Sequence, residues 1–113
     1  MVSLYIGSII FHQDQYASVG QMVTIKSHLS DSPKPVYWDF LMPGSEEQDF
    51  SSIPVYHDGR VRNGYEQRGT VDNASYDLTI YEVELGDSGE YLCTEQEGLG
   101  NRHVTRLRVT GII

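Results

Sequence analysis

Apolar and polar residues alternate along this chain with a period of two. Val23 and Ile25 alternate with Thr24 and Lys26 and lead to Ser27, and Val36, Trp38 and Phe40 alternate with Tyr37, Asp39 and Leu41. Leu78 and Ile80 flank Thr79, with Tyr81 following, and Leu107 and Val109 interleave with Arg106, Arg108 and Thr110. Successive strand side chains point to opposite faces, so each run predicts a strand with one buried face. No stretch repeats its apolar positions at helical spacing. Turn signals separate the runs: Ser30 to Pro33, Pro43 to Ser45, Asp58-Gly59, Asn63-Gly64, Asp72-Asn73, Gly86-Asp87, and Gly98 with Gly100 and Asn101. Short strands punctuated this often predict an all-β, two-sheet antiparallel sandwich. The 8 tyrosines and 3 phenylalanines suit its pleated surfaces.

At 113 residues the chain is read as a single domain spanning 1–113, because two halves would each be too small to bury a sound core. Its formal charge of -8 argues against nucleic acid as a partner, since a phosphate backbone needs clustered Lys and Arg. An apolar content of 39% predicts a folded globule, and no apolar run reaches the roughly 18 residues of a membrane span, so direct membrane insertion is not expected. Residues 1–11 are apolar but lack the basic start and small-residue cleavage site of a signal peptide, and read as a strand. The apolar end at residues 109–113 reads as that of a module excised from a longer receptor. The single cysteine, Cys93, rules out an intramolecular disulfide and, taken alone, points to a reducing compartment.

The segment Leu85-Gly86-Asp87-Ser88-Gly89-Glu90-Tyr91-Leu92-Cys93 changes that reading. It resembles the D-x-G/A-x-Y-x-C motif of immunoglobulin variable-type (V-set) domains, with the tyrosine two residues before the cysteine. Gly20-Gln21-Met22-Val23-Thr24-Ile25-Lys26 is similar to the family's pattern G-x-x-V-T-L-x-C, Trp38 follows at the distance of the family's core tryptophan, and Leu78-Thr79-Ile80 matches a third strand. The resemblance covers about residues 6–109 and implies an immune-type receptor or adhesion domain. It implies a sandwich of about nine strands, the region 50–65 being long enough for the two additional strands of the variable type. It further implies a core of Trp38, Tyr91, Cys93 and Leu107, a tyrosine corner at Tyr91, and a structural ion pair between Arg68 and Asp87. Ser27 stands where the family has its first disulfide cysteine, so Cys93 is expected opposite Ser27 beneath Trp38, with the serine hydroxyl bonded to a nearby carbonyl. On this reading a missing disulfide says little about the compartment. The family's joining-segment pattern is poorly matched, because Leu107 lies seven positions beyond Gly100.

No catalytic residue, metal site or cofactor is predicted, and the chain is read as not an enzyme. His12, His28, His57 and His103 are scattered and read as surface loop residues, Cys93 falls on a buried strand face rather than at an exposed nucleophile position, and Asp58-Gly59 and Asp72-Asn73 read as turns. Asn73-Ala74-Ser75 is an N-glycosylation sequon in a predicted turn, which with the resemblance favours an extracellular, cell-surface or secreted protein.

With Trp38 and Cys93 inward, alternation points Tyr37, Asp39, Leu41, Leu92, Thr94, Val104 and Arg106 out of the front sheet, with Ile53, Val55 and Tyr56 adding apolar bulk beside them. An apolar centre inside a charged rim is interface anatomy. This front face is expected to bind a protein partner, a second copy of the chain or another variable-type domain. Glu95, Glu97 and Arg102 are loop candidates for ligand contact, and two other readings stay open: a glycan- or small-ligand-binding variable-type domain, and a cytoplasmic structural immunoglobulin module.

Overall fold

A computed structural model describes residues 10–28, 35–42, 52–95 and 102–111, with the backbone alone for Ile10, Phe11 and Glu95. The predicted alternation appears as strands β1 (Ile10–Ser18), β2 (Val23–Ile25), β3 (Val36–Leu41), β4 (Ile53–His57), β5 (Arg60–Val61), β6 (Gly69–Val71), β7 (Leu78–Ile80), β8 (Gly89–Glu95) and β9 (Arg102–Thr110). They form a six-stranded sheet in the order β1-β9-β8-β3-β4-β5 and a three-stranded sheet in the order β2-β7-β6. Neighbours are antiparallel except β1 and β9, which run parallel in register from Ile10 beside Arg102 to Ser18 beside Thr110. The strand expected over residues 1–11 is seen only from Ile10, the rest lying outside the described residues.

The inward residues of both sheets meet in one core. Ile25, Trp38, Val55, Leu78, Ile80, Tyr91 and Cys93 are all fully buried there. Ser27 and Leu107 are each 1% exposed. Buried polar atoms in this core have partners, as the cost of leaving them bare requires. Trp38 Nε1 donates to the Tyr76 carbonyl at 2.8 Å, and Ser27 Oγ donates to the Ser75 carbonyl at 2.6 Å. Tyr91 OH donates to the Asp87 carbonyl at 2.9 Å, which is the tyrosine corner. Tyr65 OH lies 3.3 Å from Tyr91 OH, and burial pushes the Tyr91 hydroxyl's pKa upward.

The corner is held from outside by charge. Leu85–Asp87 form a 3-10 turn, and the buried Asp87 carboxylate accepts Nη1 and Nη2 of Arg68 at 3.0 and 2.5 Å and the Glu84 N–H at 2.7 Å. That carboxylate holds the Arg68 guanidinium above its ordinary pKa. Just beyond the turn, Gly89 opens β8 with φ 154°, and a Cβ there would stand 2.6 Å from both the Leu41 carbonyl oxygen and the Phe40 ring. Only glycine fits such an approach.

Two local features shape the edge nearest the site. Asp58 and Gly59 have φ 56° and 75°, the doubly left-handed conformation that a two-residue hairpin demands, and they return β4 onto β5. Opposite β3, Trp38 pairs with Tyr56 while Asp39 pairs with Pro54, so Val55 is an extra residue in a β-bulge. At the other edge, β1 is tied to the three-stranded sheet by side chains. Gln15 Nε2 donates to the Thr24 carbonyl at 3.1 Å, and His28 Nε2 donates to Gln13 Oε1 at 3.0 Å.

Candidate functional site

The outer face of the six-stranded sheet is built in rows across β1, β9, β8, β3 and β4. One row reads His12, Val104, Leu92, Asp39 and Pro54. The row above holds Arg102, Thr94 and Tyr37, and the row below holds Asp14, Arg106, Glu90 and Leu41. Tyr37, Asp39, Leu92, Thr94, Val104 and Arg106 therefore share neighbouring rows of one face. Arg106 Nη2 donates to Glu90 Oε2 at 3.1 Å across its row.

The structure corrects the expected exposure of this face in several places. Val55 is fully buried in the core, and Ile53 and Tyr56 pack against the core rather than lying on the front face. Ile53 stands opposite the inward Phe40, and the bulge at Val55 breaks strict alternation along β4 and turns Tyr56 inward opposite Trp38. Leu41, Thr94 and Val104 are 4%, 8% and 3% exposed, so they are not open contact residues. For Val104 the reason is β1: with His12 on one side and Leu92 on the other, β9 is no longer an edge strand. Thr94 sits between the long side chains of Arg102 and Tyr37, and Leu41 sits beside Glu90, itself tied to Arg106. Of the residues expected at the centre of the face, Tyr37, Asp39 and Leu92 are partly exposed and Arg106 is exposed.

His57 joins them, correcting its reading as a loop residue, because it ends β4. Its Nε2 donates to Asp39 Oδ1 at 2.9 Å, and its ring lies 5.0 Å from that of Tyr37. His12 on β1 and His103 on β9 also leave the loop class, whereas His28 lies beyond the end of β2, its ring stacked on that of His103 at 5.2 Å. Strand alternation carries no signal for His57, because it shares the parity of the inward Val55 and reaches the outer face only through the bulge.

Asp39 has its pKa raised, chiefly by burial, with the His57 hydrogen bond opposing. A raised carboxyl binds its proton more readily folded than unfolded. Ionised Asp39 therefore costs stability above its folded pKa, and that cost is relieved as pH falls through it. Asp39→Asn keeps an oxygen for His57 and removes the charge. Its urea midpoint relative to the wild type is expected to be more favourable at about pH 7 than at about pH 4. The opposite order would show that the carboxylate's bond to His57 outweighs its desolvation.

The remaining candidates fall elsewhere. Arg102 opens β9, half-buried, with Nε enclosed and no hydrogen-bond partner among the described residues. Glu95 ends β8, and Glu97 lies outside the described residues. Asn73 is exposed in the turn between β6 and β7. Among the described residues no group of three or more His, Cys, Asp and Glu is placed to hold a metal, and no helix is long and apolar enough to cross a membrane.

Two sheets joined by a Tyr91 corner, with Trp38 against Cys93 and an extra hairpin at β4 and β5, narrow the comparison to one kind of domain. The immunoglobulin V-set domain model matches residues 13–110. The chain belongs to the immunoglobulin V-set family. Solved structures similar to this V-set domain include the CD2-binding domain of CD58 (lymphocyte function-associated antigen 3), at TM-score 0.68 and 22% identity. The alignment covers 88% of this chain and 54% of that one, so the V-set domain spans about half of it. The first immunoglobulin domain of the mouse polymeric immunoglobulin receptor gives TM-score 0.70 and 17% identity, over 89% of this chain and 92% of that one. The extracellular domain of the voltage-gated sodium channel beta4 subunit gives 0.64 and 19%, over 90% and 93%. At these identities the likenesses show the fold. Compared by sequence with curated proteins, the V-set domain matches none.

Proposed function

We propose that this V-set domain is a non-enzymatic recognition and adhesion module of the cell surface, binding protein through the outer face of its six-stranded sheet and pairing there with a second copy of itself. The observation that carries the reading is the arrangement of that face. Tyr37 and Leu92 stand at its middle over the buried Val104 and Thr94, and the Asp39–His57 and Glu90–Arg106 pairs stand around them. Apolar groups amid paired charge suit an interface, in which the centre supplies affinity and the charges fix register. Two similar structures support the choice of partner. The sodium channel beta4 extracellular domains are described as parallel homodimers that explain a role in cell-cell adhesion, and the beta subunits of those channels as forming multimeric cell-adhesive interactions.

Leu92→Glu places a charge in the middle of the face without touching the core. Hot-spot truncations cost at least about 2 kcal/mol, so the variant is expected to weaken self-association by about 30-fold or more. Sedimentation equilibrium over a concentration series measures it. A wild type that stays monomeric at high concentration, or a Leu92→Glu variant that associates as well as the wild type, would overturn the pairing.

A further inference from the structure

The sequon at Asn73 takes on a definite setting in the fold. It lies in the turn between β6 and β7, in the sheet that does not carry the proposed interface. Asp72 holds this turn: its Oδ2 accepts the Ala74 N–H at 2.9 Å, the Ser75 N–H at 2.7 Å and the Ser75 hydroxyl at 3.1 Å. These bonds keep the Asp72 carboxyl below its ordinary pKa. None of the three uses the Asn73 side chain, which stands exposed at the tip. From the turn a shallow groove of about 480 Å³ runs over the outer surface of the three-stranded sheet. Its floor is a row of threonines, Thr24, Thr79 and Thr70, directly opposite one another across the strands, with Asp72 and Asp77 beside them. The Thr24 and Thr79 hydroxyls are 2.9 Å apart.

We infer that Asn73 carries an N-linked glycan whose first sugars lie along this threonine row. Among its three asparagines, only Asn73 is followed by any residue other than proline and then Ser or Thr. Hydroxyls and carboxylates are the groups that hydrogen-bond sugar hydroxyls, and threonine methyls offer small apolar contacts to a sugar ring. The bond is made by transfer from an oligosaccharide carried on a lipid diphosphate. Asn73 Nδ2 bonds to C1 of the first sugar, the bond from C1 to the diphosphate oxygen breaks, and the lipid diphosphate leaves. The amide gives up one proton, and nothing is oxidised or reduced. Because the Ser75 hydroxyl is engaged in the folded turn, transfer takes place on the chain before the turn closes. The glycan would shield β6, which among the described residues is an edge strand of its sheet, and leave the six-stranded face open.

The test is expression of the full chain behind a secretion leader in a eukaryotic cell, with intact mass measured before and after peptide-N-glycosidase on both the secreted and the retained pools. The expected result is added mass that the enzyme removes with conversion of Asn73 to Asp, and that Asn73→Gln lacks. The bare polypeptide mass in both pools would overturn the assignment. For the seating, the methyl resonances of Thr24, Thr70 and Thr79 should shift when the glycan is removed. Changes confined to residues 72–75 would overturn that part.

Discussion

Replacing Ser27 with cysteine is expected to stabilise the domain by about 4 kcal/mol under oxidising conditions, the chain-entropy value for closing a loop of about 66 residues. Ser27, two residues beyond β2, and Cys93 on β8 are both buried, at the positions of the family's disulfide. Backbone geometry around Ser27 is already fixed, since Asp77 Oδ1 accepts its N–H at 2.8 Å. The substitution gives up the hydrogen bond from Ser27 Oγ to the Ser75 carbonyl, but Ser75 is an exposed turn residue and water can replace that donor. For a domain of this size the gain corresponds to a rise of about 10 °C or more in melting temperature. Thermal melts with and without reductant, paired with a titration of reactive thiols, measure it. Two titratable thiols in the unfolded, oxidised sample and no effect of reductant would mean that the two side chains do not meet at bonding geometry. The wild type, by the same comparison, should melt at one temperature in either buffer.

Asp87→Ala is expected to cost about 3 kcal/mol, a large part of the roughly 5–15 kcal/mol that holds a small domain folded. One change removes both acceptors of the Arg68 fork and the partner of the Glu84 N–H, and unfastens the turn whose carbonyl receives Tyr91. Losing one member of a buried pair costs about 3–5 kcal/mol. The lower end applies because Arg68 is 31% exposed and water can reach its freed guanidinium. Arg68→Lys should cost less, since an ammonium keeps the charge but cannot make the two parallel bonds. Urea unfolding compares the three proteins. A loss below about 1 kcal/mol for Asp87→Ala would show that the corner stands on Tyr91 and its packing alone.

Much of this architecture could be read from the residues, and the misses have physical causes. Strand β3 falls on the run from Val36 to Leu41, because strict alternation around a tryptophan leaves one way to bury it. The carbonyl partner of Ser27 follows from the cost of burying a bare hydroxyl, while the Arg68–Asp87 pair was legible only through the family resemblance. Tyr37, Asp39 and Leu92 lie where parity put them. Parity fails at β4, since a bulge is a matter of three-dimensional pairing: it turns Tyr56 inward opposite Trp38 and brings His57 to the outer face. Burial of Val104 was equally illegible, because it depends on β1 joining β9, a contact between strands at opposite ends of the sequence. Exposure belongs to neighbours as much as to a residue's own position.

The parallel join of β1 and β9 has a mechanical consequence. Tension applied to residues 10 and 110 reaches the two strands at opposite ends, because the strands run the same way. The load then acts along the strands and is shared by the hydrogen bonds from Ile10 beside Arg102 through to Ser18 beside Thr110, which must shear together rather than peel one by one. Under pulling force that seam, and not the tryptophan core, is the part of the molecule that sets how much the domain resists.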